Sequence, residues 1–96
     1  MKVKTKSGFS CEINENKMKD WRFIKALALC DSQDESKRLE GITTAVPFLF
    51  GDKGEAALIK HVTKDGIAST EAIISEFREV LSMVGDEIKK SQSSQE

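Results

Sequence analysis

Between residues 69 and 90, apolar side chains recur at steps of three and four residues. The stripe consists of Ile74, Phe77, Leu81, Val84 and Ile88, with Ile73 and Val80 beside it. This spacing is typical of an α-helix that buries one face and leaves the other in water. Ser69 and Thr70 can cap its first turn. The pattern predicts a helix from Ser69 to Lys90 that packs against the rest of the chain, with Met83 on its polar side.

Residues 1–14 alternate between polar and apolar side chains in two runs, and Gly8 separates the runs. Alternation with a glycine between two runs indicates a β-hairpin. Because a two-stranded hairpin is not stable alone, its inner side chains are expected to lie on the helices. These inner side chains are Val3, Phe9, Cys11 and Ile13.

The segment from Lys17 to Cys30, capped by Asn14 or Asn16, also has helical spacing, but its apolar residues form two opposite stripes. The first stripe contains Met18, Trp21, Ile24, Leu27 and Ala28. The second stripe contains Phe23, Ala26 and Cys30. A helix that is apolar on two sides is sandwiched inside a domain or also faces a partner. We therefore expect this helix to form an interface, with the second stripe as its contact surface.

Two shorter helices are expected in the middle of the chain. A capping-box pattern at residues 32–35 begins the first helix. Pro47 lacks a backbone N–H and restricts the residue before it, so a kink or stop is expected there. The apolar tetrapeptide Phe48–Gly51 follows, and a second short helix is expected over about residues 52–63. Residues 64–66 then form a turn.

These elements predict an α+β domain that is mostly helical, with an N-terminal β-hairpin followed by about four helices. A single domain is expected over residues 1–90, with the hairpin in residues 1–14 and the helical body in residues 16–90. Residues 91–96 are polar and lack apolar side chains, which predicts a disordered tail.

The composition is typical of a water-soluble globular chain, because 39% of the residues are apolar, 32% are charged and the net charge is −1. Binding to nucleic acid by bulk electrostatics requires a concentrated basic face, which this sequence lacks. No apolar run approaches the roughly 20 residues of a membrane span, and the N-terminus does not have the pattern of a secretory signal. We expect a cytoplasmic protein with no nucleic-acid or membrane partner.

The sequence offers little for catalysis or metal binding. His61 is the single histidine, and neither Cys11 nor Cys30 lies near it in the sequence. Asp65, one helical turn after His61, would add a second metal ligand without completing a site. The cysteines lack the spacing of a disulfide framework or a metal site, so they are expected to be free thiols. We expect no catalytic residue, no cofactor and no metal.

A small regulatory or DNA-binding protein is one hypothesis that the order of the helices allows. The turn at residues 64–66 joins two helices, as in a helix-turn-helix. The second helix, however, would present Glu76 and Glu79 on its exposed face, where carboxylates repel phosphates. DNA binding is therefore the second choice.

Four segments carry a family resemblance. They are Val3–Ile13, Asp20–Leu27, Phe48–Gly51, and the turn Lys64–Gly66 followed by Ser69–Ala72. In this order they resemble tail assembly chaperones of long-tailed, siphovirus-type bacteriophages and prophages of Gram-positive bacteria. The resemblance implies a protein that works in the host cytoplasm, is absent from the finished virion and keeps the tape measure protein soluble. It also implies recruitment of tail tube subunits, and in many such phages a ribosomal frameshift extends a fraction of the product.

A tape measure protein is long and helical, and its apolar faces would aggregate before tube subunits surround them. A helical module with an accessible apolar groove can cover such a face by helix-in-groove packing. We expect the contacts to come from apolar side chains left over after folding, with self-association through the same faces as an open alternative. The candidate contact residues are Phe23, Ala26, Cys30, Phe48, Phe50 and Met83, with the alternative that Phe48 and Phe50 close the core instead.

Overall fold

The computed structural model describes the backbone of residues 1–93 and the side chains of residues 1–86. The predicted α+β, mostly helical class is confirmed. The described residues form three α-helices, and the second is divided at Gly51 into two helical arms that correspond to the two middle helices expected. The elements are β1 (Lys2–Lys4), β2 (Ser10–Glu12), a 3-10 helix (Glu15–Lys19), α1 (Trp21–Cys30), α2 (Glu35–Val62), β3 (Thr63–Lys64), β4 (Ile67–Ala68) and α3 (Thr70–Ser93).

β1 and β2 form the predicted antiparallel hairpin, with Val3 opposite Cys11. Gly8, in the turn between them, has a left-handed φ of 97°, which glycine adopts at little cost. The hairpin lies on α2 and α3, as expected from its alternating pattern. Its buried apolar side chains are Val3, Phe9 and Ile13, while Cys11 is half-buried.

The predicted helix from Lys17 is divided into two pieces. Asn14 caps the short 3-10 helix, because its side-chain oxygen accepts a hydrogen bond from the Asn16 N–H at 3.0 Å. Asp20 then has extended backbone angles and caps α1, accepting from the Arg22 N–H at 2.8 Å. A second capping carboxylate therefore starts a new helix at Trp21.

α2 runs through Pro47, so the kink or stop predicted there is wrong. The fixed φ of proline is compatible with a helix, and its missing N–H removes a single backbone hydrogen bond. The helix bends at Gly51 instead, whose φ of 73° and ψ of 172° are accessible essentially to glycine alone. Gly51 divides α2 into an N-terminal arm, residues 35–50, and a C-terminal arm, residues 52–62.

α3 confirms the predicted long C-terminal helix. The hydroxyl oxygen of Ser69 accepts a long hydrogen bond from the Ala72 N–H at 3.4 Å, as expected for a cap. The side chain of Ile88 lies outside the described side chains. The fully buried members of the predicted stripe are Phe77, Val80 and Val84.

The C-terminal end of α3 differs from the sequence prediction. α3 extends to Ser93, beyond the end predicted at Lys90, and residues 94–96 of the expected tail lie outside the described residues. Within residues 1–93, none of the helices combines the length and apolarity that a membrane span requires.

Aromatic rings join the hairpin, α2 and α3 into one core. The ring of Phe9 meets that of Phe50 edge-on, with centroids 6.0 Å apart, and Phe50 meets Phe77 at 6.3 Å. Such edge-to-face pairs contribute about 0.5–1.5 kcal/mol beyond the area they bury. Because Phe50 touches both partners, its ring lies between Phe9 of the hairpin and Phe77 of α3 in the core.

α1 packs closely on α2 at Gly41. A Cβ atom at this position would lie 2.6 Å from the carbonyl oxygen of Ala26 and 2.7 Å from the backbone nitrogen of Cys30. Both are backbone atoms, so they cannot rotate away. The glycine lets α1 place Phe23 and Ala26 directly against α2, where both are buried.

The turn predicted at residues 64–66 is confirmed and forms the tip of a second hairpin. β3 and β4 pair antiparallel, with Thr63 opposite Ala68. Asp65 and Gly66 have φ values of 53° and 79°, and positive φ at both central residues is typical of a type I′ turn.

Candidate functional site

The residues predicted to contact a partner do not form one exposed surface. Phe23 and Ala26 are buried in the core, so the expectation that they are accessible is wrong, and Phe50 is buried as in the alternative that it closes the core. The physical reason for the first two is that α1 turns its second stripe toward Gly41 of α2, and Phe50 lies between two aromatic rings. The other three candidates, Cys30, Phe48 and Met83, are half-buried.

Phe48 closes the core beneath two cations. Its ring stacks on that of Phe23, with centroids 6.0 Å apart and an interplanar angle of 23°. Lys17 Nζ and the Arg22 guanidinium carbon lie 5.7 Å and 5.1 Å from the Phe48 centroid, within cation–π range. Lys17 Nζ also donates to the Phe48 carbonyl oxygen at 3.1 Å. The exposed edge of Phe48 is therefore partly covered by neighbouring side chains.

Met83 packs against the core, so its predicted position among charges on the polar side is wrong. The buried arc of α3 is wider than the predicted stripe, because Glu76 and Val80 are also buried. Met83 follows these two residues at helical spacing and therefore lies on the same flank. The N-terminal hairpin covers this flank and makes the arc wide.

Cys11 and Cys30 are free thiols, as predicted. Burial raises the pKa of Cys11 to about 11, and the nearby Glu12 carboxylate adds to the effect. Burial, followed by the charge of Asp31, also raises the pKa of Cys30. Because the thiolate is the reactive form, neither cysteine is activated as a nucleophile at neutral pH.

A cluster of polar side chains lies where the turn of the first hairpin meets α2 and α3. This polar cluster consists of Thr5, Ser7, His61 and Glu76. Oε1 of the Glu76 carboxylate accepts hydrogen bonds from Thr5 Oγ1 at 2.8 Å and Ser7 Oγ at 2.6 Å. Because the Ser7 hydrogen goes to the carboxylate, the Ser7 oxygen accepts from His61 Nε2 at 2.9 Å. Glu76 is therefore buried and hydrogen-bonded, which makes the prediction that it is exposed wrong.

The imidazole and a backbone amide hold the same turn in place. The His61 ring lies 5.6 Å from the Phe9 ring, centroid to centroid, so it also contacts the core side of the hairpin. Lys6 N–H donates to Glu79 Oε2 at 2.6 Å, which gives the turn a second attachment to α3. The polar cluster and this bond fasten the hairpin turn to the helices.

The sequence carried part of the signal for the polar cluster. Thr5 lies on the inner side of the alternating pattern, and Glu76 lies at the edge of the stripe beside Val80. The contacts themselves left no signal in the sequence, because Ser7 and His61 are 54 positions apart and only the fold brings them together. Pattern reasoning finds a buried face but does not identify its long-range polar partners.

The polar cluster differs from a Ser–His–carboxylate triad. In such a triad the serine proton goes to one imidazole nitrogen and the carboxylate holds the other. Here the Ser7 proton goes to Glu76, and His61 Nε2 faces both groups, with Glu76 Oε1 3.9 Å away. The imidazole is not placed to remove the serine proton. That the chain lacks a catalytic residue stays a prediction.

The cluster also does not form a metal site. Ser7 Oγ occupies the space between His61 and Glu76, where an ion bound by both would lie. Asp65, the second ligand considered from the sequence, lies beyond the end of α2, so helical spacing from His61 does not apply. Within the described residues, no three histidine, cysteine, aspartate or glutamate side chains come together as ligands.

An open apolar groove lies between the two arms of α2 and the start of α3. Its volume is about 260 Å³. Leu39 and Ile59, one from each arm, line it and remain 49% and 44% exposed. Glu55 is the one charged residue among those that line it in the described part of the chain. The main lining residues are Leu39, Ile42, Val46, Glu55, Ile59 and Ile73.

A second apolar surface lies on α1, on the side away from Phe23. Trp21 is 72% exposed and Ile24 is 43% exposed, and Lys25 and Ala28 are exposed beside them. We call these four residues the outer face of α1. Its three apolar residues, Trp21, Ile24 and Ala28, are exposed members of the first apolar stripe of the sequence, whereas Phe23 and Ala26 of the second stripe are buried.

No family model matches this chain, and no curated protein and no solved structure matches it.

Proposed function

We propose that this protein is a tail assembly chaperone of a long-tailed phage or prophage. It binds apolar helical segments of the tape measure protein and keeps them soluble while tail tube subunits assemble. The proposal is supported by the four resembling segments in Val3–Ile13, Asp20–Leu27, Phe48–Gly51 and Lys64–Ala72. The single observation that carries it is the open apolar groove between the arms of α2.

The groove has the shape and chemistry for an apolar helical ridge. Leu39 and Ile59 face it from opposite arms, and Glu55 can orient a polar group of the guest. An amphipathic helix places apolar side chains every three or four residues along one side, which matches a groove of this kind. The predicted contact residues are replaced in this role, since Phe23, Ala26 and Phe50 lie in the core.

Binding through this groove would be weak and reversible. At about 25 cal/mol per Å², full burial of the half-exposed Leu39 and Ile59 contributes about 1–2 kcal/mol each. Much of that gain is offset by the cost of association. Repeated weak contacts along a long guest suit a factor that tube subunits must displace. Such a factor works in the host cytoplasm and is absent from the finished virion.

Co-expression with the tape measure protein of the same phage tests the proposal. We expect the chain to raise the soluble yield of the tape measure protein severalfold. The double variant Leu39→Ser with Ile59→Ser should lose this effect. Ile67→Ser is the matched control, because Ile67 is 70% exposed but does not line the groove. Circular dichroism checks that each variant keeps its helices.

The outcome that overturns the proposal is an unchanged soluble yield with the wild-type chain. Steeply salt-dependent binding of a DNA duplex by the same chain would instead favour the regulatory alternative. Gene order is a second discriminator, because a chaperone gene of this kind lies between the tube gene and the tape measure gene.

A further inference from the structure

We propose that the outer face of α1 is a second binding surface whose partner is an amphipathic helix with carboxylates along the edges of its apolar stripe. The inference rests on the proposed function and deepens it, since it names the chemical class of guest segment that this surface holds. None of the residues lining the groove belongs to α1, so the two surfaces are separate.

Within the described residues, the side chains of the outer face of α1 remain largely exposed and do not belong to the core. The opposite side of this helix supplies Phe23 and Ala26 to the core and fits against Gly41. Trp21 and Ile24 remain 72% and 43% exposed. Tryptophan is the residue type most enriched at the centres of protein interfaces, because it buries a large area with few rotatable bonds.

The spacing of the outer face fits a helical partner. Trp21, Ile24 and Ala28 are separated by three and four residues, which aligns them along one side of α1. A ridge with this spacing packs against the ridge of another helix at a shallow crossing angle. The small side chain of Ala28 lets the partner backbone approach closely at that end.

The free charge within α1 is positive. α1 contains Arg22 and Lys25 but no acidic residue. Asp20, which precedes α1, is bound by Arg22 through contacts of 3.0 Å and 2.9 Å, and the exposed Asp31 follows α1 at the far end of the ridge. Within the described residues, Lys25 takes part in no ion pair. A free lysine beside an apolar ridge favours a partner with a carboxylate beside its own ridge.

This charge distribution disfavours a second copy of the chain. Two outer faces packed together would bring Lys25 of one copy close to Lys25 of the other, and the like charges would repel. The acidic, amphipathic helix of this chain is α3, and its apolar stripe is already buried at Phe77, Val80 and Val84. The partner is therefore a different helix. An acidic-edged segment of the guest has the required chemistry.

The single tryptophan makes the surface directly measurable, because Trp21 is the only tryptophan in the chain. The probe is a synthetic helical peptide without aromatic residues, with a leucine and alanine stripe edged by glutamates. A matched peptide carries lysines in place of the glutamates. We expect a saturable blue shift of Trp21 emission with the glutamate peptide and at least tenfold weaker binding of the lysine peptide.

Two variants test the two components of the surface. Lys25→Glu should reverse the preference, so that the lysine peptide binds more tightly than the glutamate peptide. Ile24→Ser should lower the affinity for the glutamate peptide at least fivefold. Ile67→Ser, at an exposed position outside both surfaces, is the control and should leave peptide binding unchanged. Equal affinity for both peptides, or a blue shift only with vesicles of anionic phospholipid, would overturn the inference.

The experiment separates this inference from the proposed function. If the peptide does not bind while the chain still raises the soluble yield of the tape measure protein, the inference fails and the chaperone proposal stands. If the peptide binds as expected but the soluble yield is unchanged, the surface chemistry stands and the chaperone proposal fails.

Discussion

The two sides of α1 are similarly apolar in the sequence and differ completely in the fold. The inner side places Phe23 at 0% exposure, whereas the outer face leaves the larger Trp21 72% exposed. The apolarity of each side therefore does not decide which is buried. The opposite surface does, because Gly41 gives the inner side a place where backbones can meet.

This difference shows that complementarity, and not hydrophobicity alone, selects the buried face of a two-sided helix. The inner side carries Phe23 and Ala26, a large and a small residue that fit against another helix. The outer face carries an exposed indole with a lysine one turn away. A side of this kind is suited to a partner that is bound only at times.

Truncating one aromatic residue on each side gives the largest expected contrast. Phe23→Ala should lower the free energy of unfolding by about 3–5 kcal/mol, because it leaves a cavity in the core. Trp21→Ala should change it by less than about 1 kcal/mol, since the indole is mostly in water. Urea denaturation followed by circular dichroism measures both. Similar losses for the two variants would show that the sides are not different.

Adding one methyl group at the contact between α1 and α2 tests why the inner side is buried. Gly41→Ala should lower the free energy of unfolding by about 2 kcal/mol, because the new Cβ meets backbone atoms 2.6 Å and 2.7 Å away. Gly85→Ala is the matched control, since nothing lies within 4 Å of its Cβ position. It should stabilise α3 by up to about 1 kcal/mol through helix propensity. A harmless Gly41→Ala would contradict the close approach.

The same contrast between an inner and an outer position exists for two carboxylates of α3. Glu76→Gln should cost about 1 kcal/mol, because charge-assisted bonds from Thr5 and Ser7 inside the polar cluster are weakened. Glu79→Gln should cost less than about 0.5 kcal/mol, since its bond from the Lys6 N–H is exposed. Thermal or urea unfolding of both variants measures the two losses in the free energy of unfolding. Equal losses would contradict the expected difference.

The smallest expected effect is a pH dependence at the start of α1. Hydrogen bonds from the Arg22 side chain, and then from its N–H, lower the pKa of Asp20 to about 2. The carboxylate is therefore favoured in the folded state. Its contribution to stability is present above the usual pKa of about 4 and is lost as pH falls through about 2.

Carboxyl NMR titration of the folded protein measures this pKa. Arg22→Gln should move the midpoint of Asp20 back toward 4, while the helix cap from residue 22 holds it slightly below that value. An unchanged midpoint in the variant would show that the side-chain pair does not hold the carboxylate. The result bears on the outer face of α1, because neutralisation of Arg22 by Asp20 leaves Lys25 as the free cation within α1.

Local sequence patterns were sufficient to predict two elements. The three- and four-residue spacing of apolar side chains predicted α3, and the alternation around Gly8 predicted the N-terminal hairpin. The sequence predicted a kink or stop at Pro47, because proline disfavours the interior of a helix. α2 nevertheless continues through Pro47, since a helix accommodates the fixed φ of proline. Gly51 adopts angles that other residues avoid, so the bend is at Gly51. A breaking residue in the sequence does not specify whether the chain breaks there.

The candidate site was predicted less well than the fold, because it depends on contacts between distant residues. The stripe containing Phe23 was apolar enough for an interface, and only the packing against Gly41 shows that it is core. The groove joins Leu39 and Ile59 across the bend in α2, and no local pattern relates them. Exposure of Trp21 likewise follows from the choice of the other side.

The arm that follows the bend at Gly51 contributes to both the apolar groove and the polar cluster. This short C-terminal arm carries Ile59 on one side and His61 on another, so a rotation of this arm about Gly51 would move both side chains together. A guest that widened the groove by swinging this arm would also draw His61 away from Ser7. A guest bound in the groove would then weaken the attachment of the N-terminal hairpin turn to α2.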